Sequence, residues 1–186
     1  MGIESNVLES AIRQFTHYKE LGEKAMRQLE PEQLFVAPND DSNSIAIIVK
    51  HLWGNMLSRW TELFTSDGEK PWRLRDEEFE WADADADQVW QYWEEGWRCL
   101  LDALQQLQPQ QLMTIIYIRN EGHTVLEAIN RQLSHYPYHV GQIVYAAKML
   151  KSTSWDSLSI PRQHSAQYNS NKFHQPRQRR HFTEGI

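Results

Sequence analysis

The stretch Leu133-Ser-His-Tyr-Pro-Tyr-His-Val-Gly-Gln-Ile-Val144 contains two histidines, His135 and His139, that are four residues apart. On an α-helix such residues stand about 40° apart around the axis and about 6 Å apart along it. Both imidazoles can therefore reach one ion. Two neutral imidazoles hold a divalent cation weakly, so a metal site requires a third ligand from elsewhere in the chain.

The position of this pair on its helix distinguishes it from core residues. An apolar stripe at helical spacing comprises Leu126, Ile129, Leu133, Val140, Val144 and Ala147. His135 and His139 lie roughly a quarter to a third of a turn from the centre of that stripe. Pro137, between them, removes a backbone donor and predicts a loosened or kinked turn. The alternative is that both histidines are solvated or bonded to neighbours, since the chain has eight histidines.

Length and charge bound the class of protein. At 186 residues the chain suits one domain with a sizeable core and a terminal extension. The net charge of −6 argues against nucleic-acid binding. From Ser152 onward there are five Lys/Arg and two Asp/Glu, so this end is net +3 and the preceding body is net −9.

Three features predict a cytoplasmic protein. The single cysteine, Cys99, excludes an internal disulfide framework and fits a reducing compartment. No run of about 18 apolar residues is present, so no membrane span is expected. The N-terminus contains Glu4 and Glu9 and lacks an apolar run, which is unlike a secretory signal.

Four segments show the spacing of apolar side chains that predicts amphipathic helices. They run from about Ile3 to Leu29, from the cap-rich residues 39–44 to about Phe64, from the possible caps Asp83, Asp85 and Asp87 to about Leu107, and from Thr124 to about Lys151. Four long helices predict an all-α fold, a four-helix bundle. In the third helix we interpret Trp90, Trp93 and Trp97 as core filling and Cys99 as a buried small hydrophobe.

The connections and the C-terminal end complete the predicted organisation. The long connection Thr65–Asp83 is expected to be functional or a crossover. Met113–Ile118 has β-forming residues and precedes a turn at residues 119–122, which predicts one short extended arm. Residues 1–151 would form the bundle, residues 152–170 a strap packed on it, and residues 171–186 a flexible tail, with an extended conformation from Ser152 onward.

The second helix supplies the candidate for the third ligand. One row on this helix, largely polar, comprises Ile47, His51, Asn55, Ser58 and Glu62. Facing helices of a bundle are common places for metal sites, so His51, His135 and His139 would form a three-histidine site. Such a set suits zinc, nickel, iron or manganese with open positions for water. Its chemistry would be Lewis-acid polarisation or a lowered pKa of a bound water or thiol.

Several familiar catalytic motifs are absent from the sequence. The histidines are not part of Glu-x-x-His or His-Glu-x-x-His, and neither a phosphate-binding loop nor Gly-x-Ser-x-Gly occurs. The catalytic residues therefore stay unassigned. Candidates for a general base by proximity in sequence are Glu62, Tyr117, Glu121, Tyr136 and Tyr138.

Two motifs carry a resemblance to a known family. The second-helix segment Ile48-Val-Lys-His51-Leu and the fourth-helix segment His135-Tyr-Pro-Tyr-His139-Val-Gly-Gln-Ile resemble the DinB-like superfamily of damage-inducible bundle proteins. The closest likeness is to an uncharacterised bacterial branch, in which a Ser-Ile-Pro-Arg segment and a later Tyr-Asn close the domain, as residues 159–162 and 168–169 do here. The resemblance implies an up-down-down-up bundle with a long crossover from helix 2 to helix 3. It also implies a metal bound by His51, His135 and His139.

Two hypotheses for function follow from the site and the resemblance. Related bundles include bacillithiol transferases, so the first hypothesis is a metal-dependent thiol transferase or hydrolase that acts on a small electrophile, with a low-molecular-weight thiol as a further cofactor. The alternative is a non-catalytic stress-response or interaction module with incidental metal. Fold analogy alone does not choose between them.

Partners and the remaining histidines complete the predictions. A homodimer is a further expectation, since a bundle with eight tryptophans can leave an apolar face exposed. The C-terminal basic residues Lys172, Arg177, Arg179 and Arg180 offer at most a modest, salt-sensitive polyanion contact. His17, His123, His164, His174 and His181 are interpreted as structural or solvated. Of these five, His123 is the strongest further candidate for the metal site, because it lies beside the start of the fourth helix. His164 would reach the site if the strap folded back.

Overall fold

The computed structural model describes residues 2–81 and 85–184, over which the chain is mainly helical with one small sheet. The α-helices are α1 (Ile3–Met26), α2 (Ile45–Trp60), α3 (Ala86–Gln106), α4 (Val125–Lys151) and α5 (Ser165–Phe173). The strands are β1 (Ile115–Ile118) and β2 (Glu121–Thr124). Short 3₁₀ helices occur at Pro31–Phe35, Arg75–Phe79, Pro109–Met113 and Ser152–Ser154. Within these described ranges, no helix combines the length and apolar character that crossing a membrane requires.

The helix starts follow from capping side chains. The predicted capping box of α4 is confirmed: the Glu127 N–H donates to Thr124 Oγ1 at 3.1 Å, and the Thr124 N–H donates to the Glu127 carboxylate at 2.7 Å. Asp85 caps α3 by accepting from the N–H groups of Asp87 and Gln88. Asp83, another predicted cap, lies outside the described residues.

Helix α2 is shorter than predicted and ends at Trp60, not near Phe64. Thr61 is extended, and Glu62 has a φ of 50°, in the left-handed region. A non-glycine residue in that conformation cannot continue a right-handed helix. The earlier end lets the chain turn directly into the long connection that leads to α3.

Aromatic side chains fill the core where α1, α3 and α4 meet. Trp93 and Trp97 of α3 are 1% and 0% exposed, so their interpretation as core filling is confirmed. The Tyr136 ring of α4 packs between Trp97 and Phe15, with ring centroids 6.0 Å and 5.9 Å apart. Edge and tilted contacts between aromatic rings stabilise the core beyond the area that the rings bury. They bring the inner faces of three helices together.

The segment before α4 is a β-hairpin, which corrects the prediction of a single extended arm. Strands β1 and β2 pair antiparallel, with Ile115 opposite Thr124 and Ile118 opposite Glu121. The turn is only Arg119-Asn120, with φ values of 56° and 60°. Left-handed conformations at both central residues are those of a type I′ hairpin turn, which matches the twist of the strands. Residues 121 and 122, predicted as turn, therefore belong to the second strand.

The C-terminal part is not extended throughout, which corrects a second prediction. Residues 165–173 form α5, and residues 152–154 form a 3₁₀ turn. The α5 sequence lacks proline and glycine, and the prolines at 161 and 176 lie outside it, so no residue in it interrupts the helix. Further along, His181 Nε2 lies 3.0 Å from the Ser10 hydroxyl of α1. The division into bundle, strap and flexible tail stays a prediction.

Candidate metal centre

Three histidines from two helices converge on one point. His51 lies in the second turn of α2, and His135 and His139 lie on consecutive turns of α4. One ring nitrogen from each residue lies within 4.8 Å of the other two. His51 is buried at 6% exposure, and the α4 pair is half-buried. The structure thus brings together the three residues that the sequence singled out.

The Nδ1 atom of each histidine has an oxygen partner. His51 Nδ1 lies 2.9 Å from Glu78 Oε2, His135 Nδ1 lies 3.2 Å from Gln132 Oε1, and His139 Nδ1 lies 2.7 Å from Gln142 Oε1. An Nδ1–H that donates to oxygen selects the tautomer with a free lone pair on Nε2. The Nε2 atoms are therefore the nitrogens available to a ligand.

The distance between the two α4 histidines shows whether the pair can share a metal ion. Their Nε2 atoms are 3.1 Å apart. Two nitrogens that share an ion, with bonds of about 2.0–2.1 Å, lie about 2.8–3.4 Å apart at tetrahedral or octahedral angles. Two lone pairs facing each other at this distance repel unless a cation or a proton lies between them. The spacing of the α4 pair therefore fits a shared first-row divalent ion.

Burial keeps the α4 imidazoles neutral. Burial is the main cause that lowers the pKa of His135 to about 3, and the neighbouring His139 and His51 add to the effect. Burial also lowers the pKa of His139. Both rings are then uncharged at neutral pH, the protonation state in which imidazole ligates metals.

A buried carboxylate, Glu78, links His51 to an arginine. Arg73 donates to this carboxylate through two nitrogens, Nε to Oε1 at 2.6 Å and Nη2 to Oε2 at 2.9 Å. Burial acts to raise the pKa of Glu78, but the hydrogen bonds from His51 and Arg73 outweigh it and the pKa is lowered. A carboxylate–histidine pair of this kind fixes ring orientation and increases ligand basicity.

The ion pairs continue from this carboxylate into the connection between α2 and α3. Glu69 lies 3.5 Å from Arg73 Nη1, and it also pairs with Arg59 of α2 at 3.0 Å. Arg59 donates to the Gly68 carbonyl as well. Because buried guanidinium and carboxylate groups require partners, this network holds the connection against α2. The connection thus helps to build the site, one of the two roles expected for it.

The β-hairpin is fastened to the same connection. The Asp67 carboxylate accepts the backbone N–H groups of Arg119 and Asn120, each at 2.8 Å. Burial acts to raise the pKa of Asp67, but three backbone N–H donors outweigh it and lower the pKa. Arg119 Nη2 lies 3.1 Å from Glu69 Oε2. The hairpin turn is therefore held against a segment about 50 residues earlier in the sequence, and Arg119 lines the same pocket as the histidines.

A pocket of about 420 Å³ opens beside the three histidines. Its lining residues are His51, Asn55, Arg59, Arg73, Arg75, Phe79, Arg119, Arg131, Gln132, His135, Tyr138 and His139. The Phe79 ring stacks on His51 with centroids 5.2 Å apart. Pockets of this size suit small molecules. The histidines therefore face a space that a small ligand can enter.

Of the candidates for a general base, one lines the pocket. Tyr138 does so, whereas Glu62, Tyr117 and Glu121 are not among the described lining residues. Tyr136 is fully buried in the core, where its hydroxyl donates to Asn55 Oδ1 and accepts from Trp60 Nε1, each at 3.1 Å. Burial raises the pKa of Tyr136, which does not suit a base.

The other singled-out residues lie elsewhere. Neither His123 nor His164 is among the described lining residues of the pocket, and His164 is exposed at the start of α5. Cys99 is half-buried, and its Sγ lies 3.6 Å from Thr61 Oγ1. Burial raises the pKa of this thiol, as expected for a packing residue and not for a nucleophile.

Sequence reasoning missed Glu78 and all five arginines of the pocket lining. For Arg73, Arg75 and Glu78, the only signal was the length of the connection and the charged residues in it. These residues lie in irregular or 3₁₀ structure, where no periodicity indicates which side chain points inward. Arg119 lines the pocket because of tertiary contacts between the hairpin and the connection.

Fold and site together define a mainly helical protein with a three-histidine cluster beside an arginine-rich pocket. The chain belongs to the family described as Protein of unknown function (DUF1572), whose profile matches residues 2–164. The matched range contains α1 to α4, the hairpin and all three histidines. No curated protein matches the chain.

Proposed function

We propose that this protein binds one divalent first-row metal ion through His51, His135 and His139 and is a metal-dependent enzyme. The observation that carries this proposal is the convergence of three imidazoles, each held by an oxygen at Nδ1, beside an open pocket. Three protein ligands with an open side are typical of catalytic sites, whereas structural zinc usually has four. Zinc, nickel, iron and manganese all suit this donor set.

The reaction class that we infer is thiol transfer or hydrolysis on a small electrophilic substrate. A bound ion supplies Lewis acidity and lowers the pKa of a water or thiol ligand. The chain supplies the neutral imidazoles of α4, the carboxylate of Glu78 that orients His51, and a pocket large enough for the substrate. A low-molecular-weight thiol is the proposed co-substrate of the transferase version.

We also place the family in the DinB-like superfamily, with an up-down-down-up bundle formed by α1 to α4. In that order α2 and α3 run in the same direction, which requires a long crossover between them. Two contacts support this: Trp53 stacks on Tyr92 with centroids 4.1 Å apart, and Thr61, just past α2, contacts Cys99. Residue numbers thus rise together along the two helices.

A non-catalytic module with incidental metal is the second candidate, and one observation favours it. Among the described residues, no Asp or Glu lines the pocket, and the nearby Glu69 and Glu78 are both paired with arginines. Such a site has no free carboxylate to act as a general base. Metal-loaded protein that turns over neither thiol-conjugation nor hydrolysis substrates would favour this candidate.

Elemental analysis of tag-free protein, purified without chelator, tests the metal site. We expect about one first-row metal ion per chain, since the three ligands form a single site. His51→Ala and the double variant His135→Ala/His139→Ala should lose it. His174→Ala is the matched control, because His174 is exposed and lies outside the cluster. Unchanged metal content in the folded double variant would refute the site.

A further inference from the structure

We propose that the pocket binds a small molecule that carries an oxyanion, a carboxylate or phosphoryl group, through Arg75, Arg119 and Arg131. The inference rests on the proposed function in one respect: it names the substrate class of the same site. The chain has a net charge of −6, so a concentration of arginines in one cavity is not a consequence of composition.

The charges around the pocket do not balance. Five arginines line it, and two of them, Arg59 and Arg73, are buried and paired with Glu69 and Glu78. Arg119 shares Glu69, which those two arginines already contact. Two carboxylates are therefore shared by these three guanidinium groups, which leaves the lining with a net positive charge. A bound divalent ion would add to this positive charge.

The other two arginines are the least compensated. Arg75 has a carboxylate, that of the exposed Asp76, only at 4.0 Å. Within residues 2–81 and 85–184, Arg131 makes no hydrogen bond or ion pair, and it is exposed on α4 one turn before His135. Exposed guanidinium groups keep their side-chain freedom and their hydration until a ligand engages them. Both remain available to an anion.

The arginines approach the histidines from three different elements. Arg131 comes from α4, the hairpin turn presents Arg119, and Arg75 lies over the Phe79 ring at 5.2 Å, which in turn stacks on His51. The planar guanidinium group forms paired hydrogen bonds with the oxygens of carboxylate and phosphoryl groups. An oxyanion held by them would place the adjoining part of the molecule beside the three Nε2 atoms.

The shape of the site selects a small ligand over a nucleic acid. Polyanion binding uses an extended basic face that contacts several phosphates. Here the arginines line a single cavity of about 420 Å³. That volume suits a small molecule with one or two anionic groups.

Calorimetric titration with succinate and with inorganic phosphate tests the inference on the full chain, both metal-free and zinc-loaded. Both anions, or one of them, should bind, and the uncharged 1,4-butanediol should not. Arg131→Gln and Arg75→Gln should each weaken binding about tenfold, which corresponds to one charged hydrogen-bonding partner. Binding of only one anion would identify a carboxylate or a phosphoryl ligand as the natural class.

Arg98→Gln is the matched control, since Arg98 is exposed on α3 and lies outside the pocket. It should leave the affinity unchanged within about twofold, and circular dichroism should show every variant folded. Absence of binding by either anion to both forms of the protein, or equal affinities for wild type and Arg131→Gln, would overturn the inference.

Metal content of the same samples separates this inference from the proposed function. Arginine-dependent anion binding without any metal uptake would keep the inference and refute the metal site. A full metal site with no anion binding would do the reverse. The two proposals therefore fail independently.

Discussion

Glu78 determines the orientation of His51, because its carboxylate is the partner of His51 Nδ1 and also of Arg73. The residue is 4% exposed, so water cannot replace it. Buried charges without partners are strongly unfavourable. At the scale of single residues, the candidate site therefore depends on a carboxylate that contacts one of the proposed ligands, His51, through its Nδ1 atom.

Glu78→Gln should weaken metal binding and lower the free energy of unfolding. Removing one partner of a buried ion pair costs about 3–5 kcal/mol, and loss of a group that orients a ligand costs about 10–100-fold in metal affinity. Metal titration and chemical unfolding would measure both. The control is Glu77→Gln, an exposed neighbour, which should change stability by less than about 0.5 kcal/mol. Equal behaviour of the two variants would contradict the role of Glu78.

At the scale of elements, α2 approaches the connection so closely that a glycine is required at one point. A Cβ on Gly54 would lie 2.3 Å from Glu78 Oε1 and 2.9 Å from its Cδ. Glu78 cannot move away freely, since His51 and Arg73 hold it. On α4, by contrast, a Cβ on Gly141 would have nothing within 4 Å. Packing therefore requires a glycine at position 54 of α2 but not at position 141 of α4.

Alanine at these two positions should have opposite effects. Gly141→Ala should raise the free energy of unfolding by about 0.5–1 kcal/mol, because alanine loses less conformational entropy in a helix. Gly54→Ala should lower it by about 1–3 kcal/mol through overpacking, and it should weaken metal binding by displacing Glu78. Chemical unfolding with and without metal measures both effects. If Gly54→Ala instead raised the free energy of unfolding, Glu78 would have room to move away from the added Cβ, and the prediction would be wrong.

At the scale of the whole molecule, the site joins segments that are distant in sequence. The histidines belong to α2 and α4, Glu78 and Arg75 to the connection before α3, and Arg119 to the hairpin. Any ligand that binds all of these only in the folded chain stabilises the fold by mass action. Metal binding should therefore be visible in global unfolding.

Metal at about 100 times its Kd should raise the free energy of unfolding by about 2.7 kcal/mol, a Tm increase of roughly 5–10 °C for a chain of this size. Thermal unfolding with zinc or nickel, followed by addition of a chelator, measures the increase and its reversal. Magnesium is the control ion, because it prefers oxygen ligands and should cause no shift. A similar increase in the His135→Ala/His139→Ala variant would place the stabilising ion elsewhere.

The helices and their inward faces could be predicted because apolar side chains repeat with the period of the helix. The same period places His135 and His139 on one face of α4, and the cap signals at Thr124 and Asp85 mark two helix starts. His51 could be selected because it lies in a polar row on a helix that should face α4. These are local properties of the chain, and the sequence by itself determined them.

Only the tertiary structure decided what surrounds the histidines. Glu78 reaches His51 because the connection packs on α2, and Arg119 reaches the pocket because Asp67 holds the hairpin turn. The second strand of that hairpin and the helix α5 were likewise not predicted. In irregular segments the position of a side chain follows from contacts with residues far along the sequence, and no local period indicates those contacts.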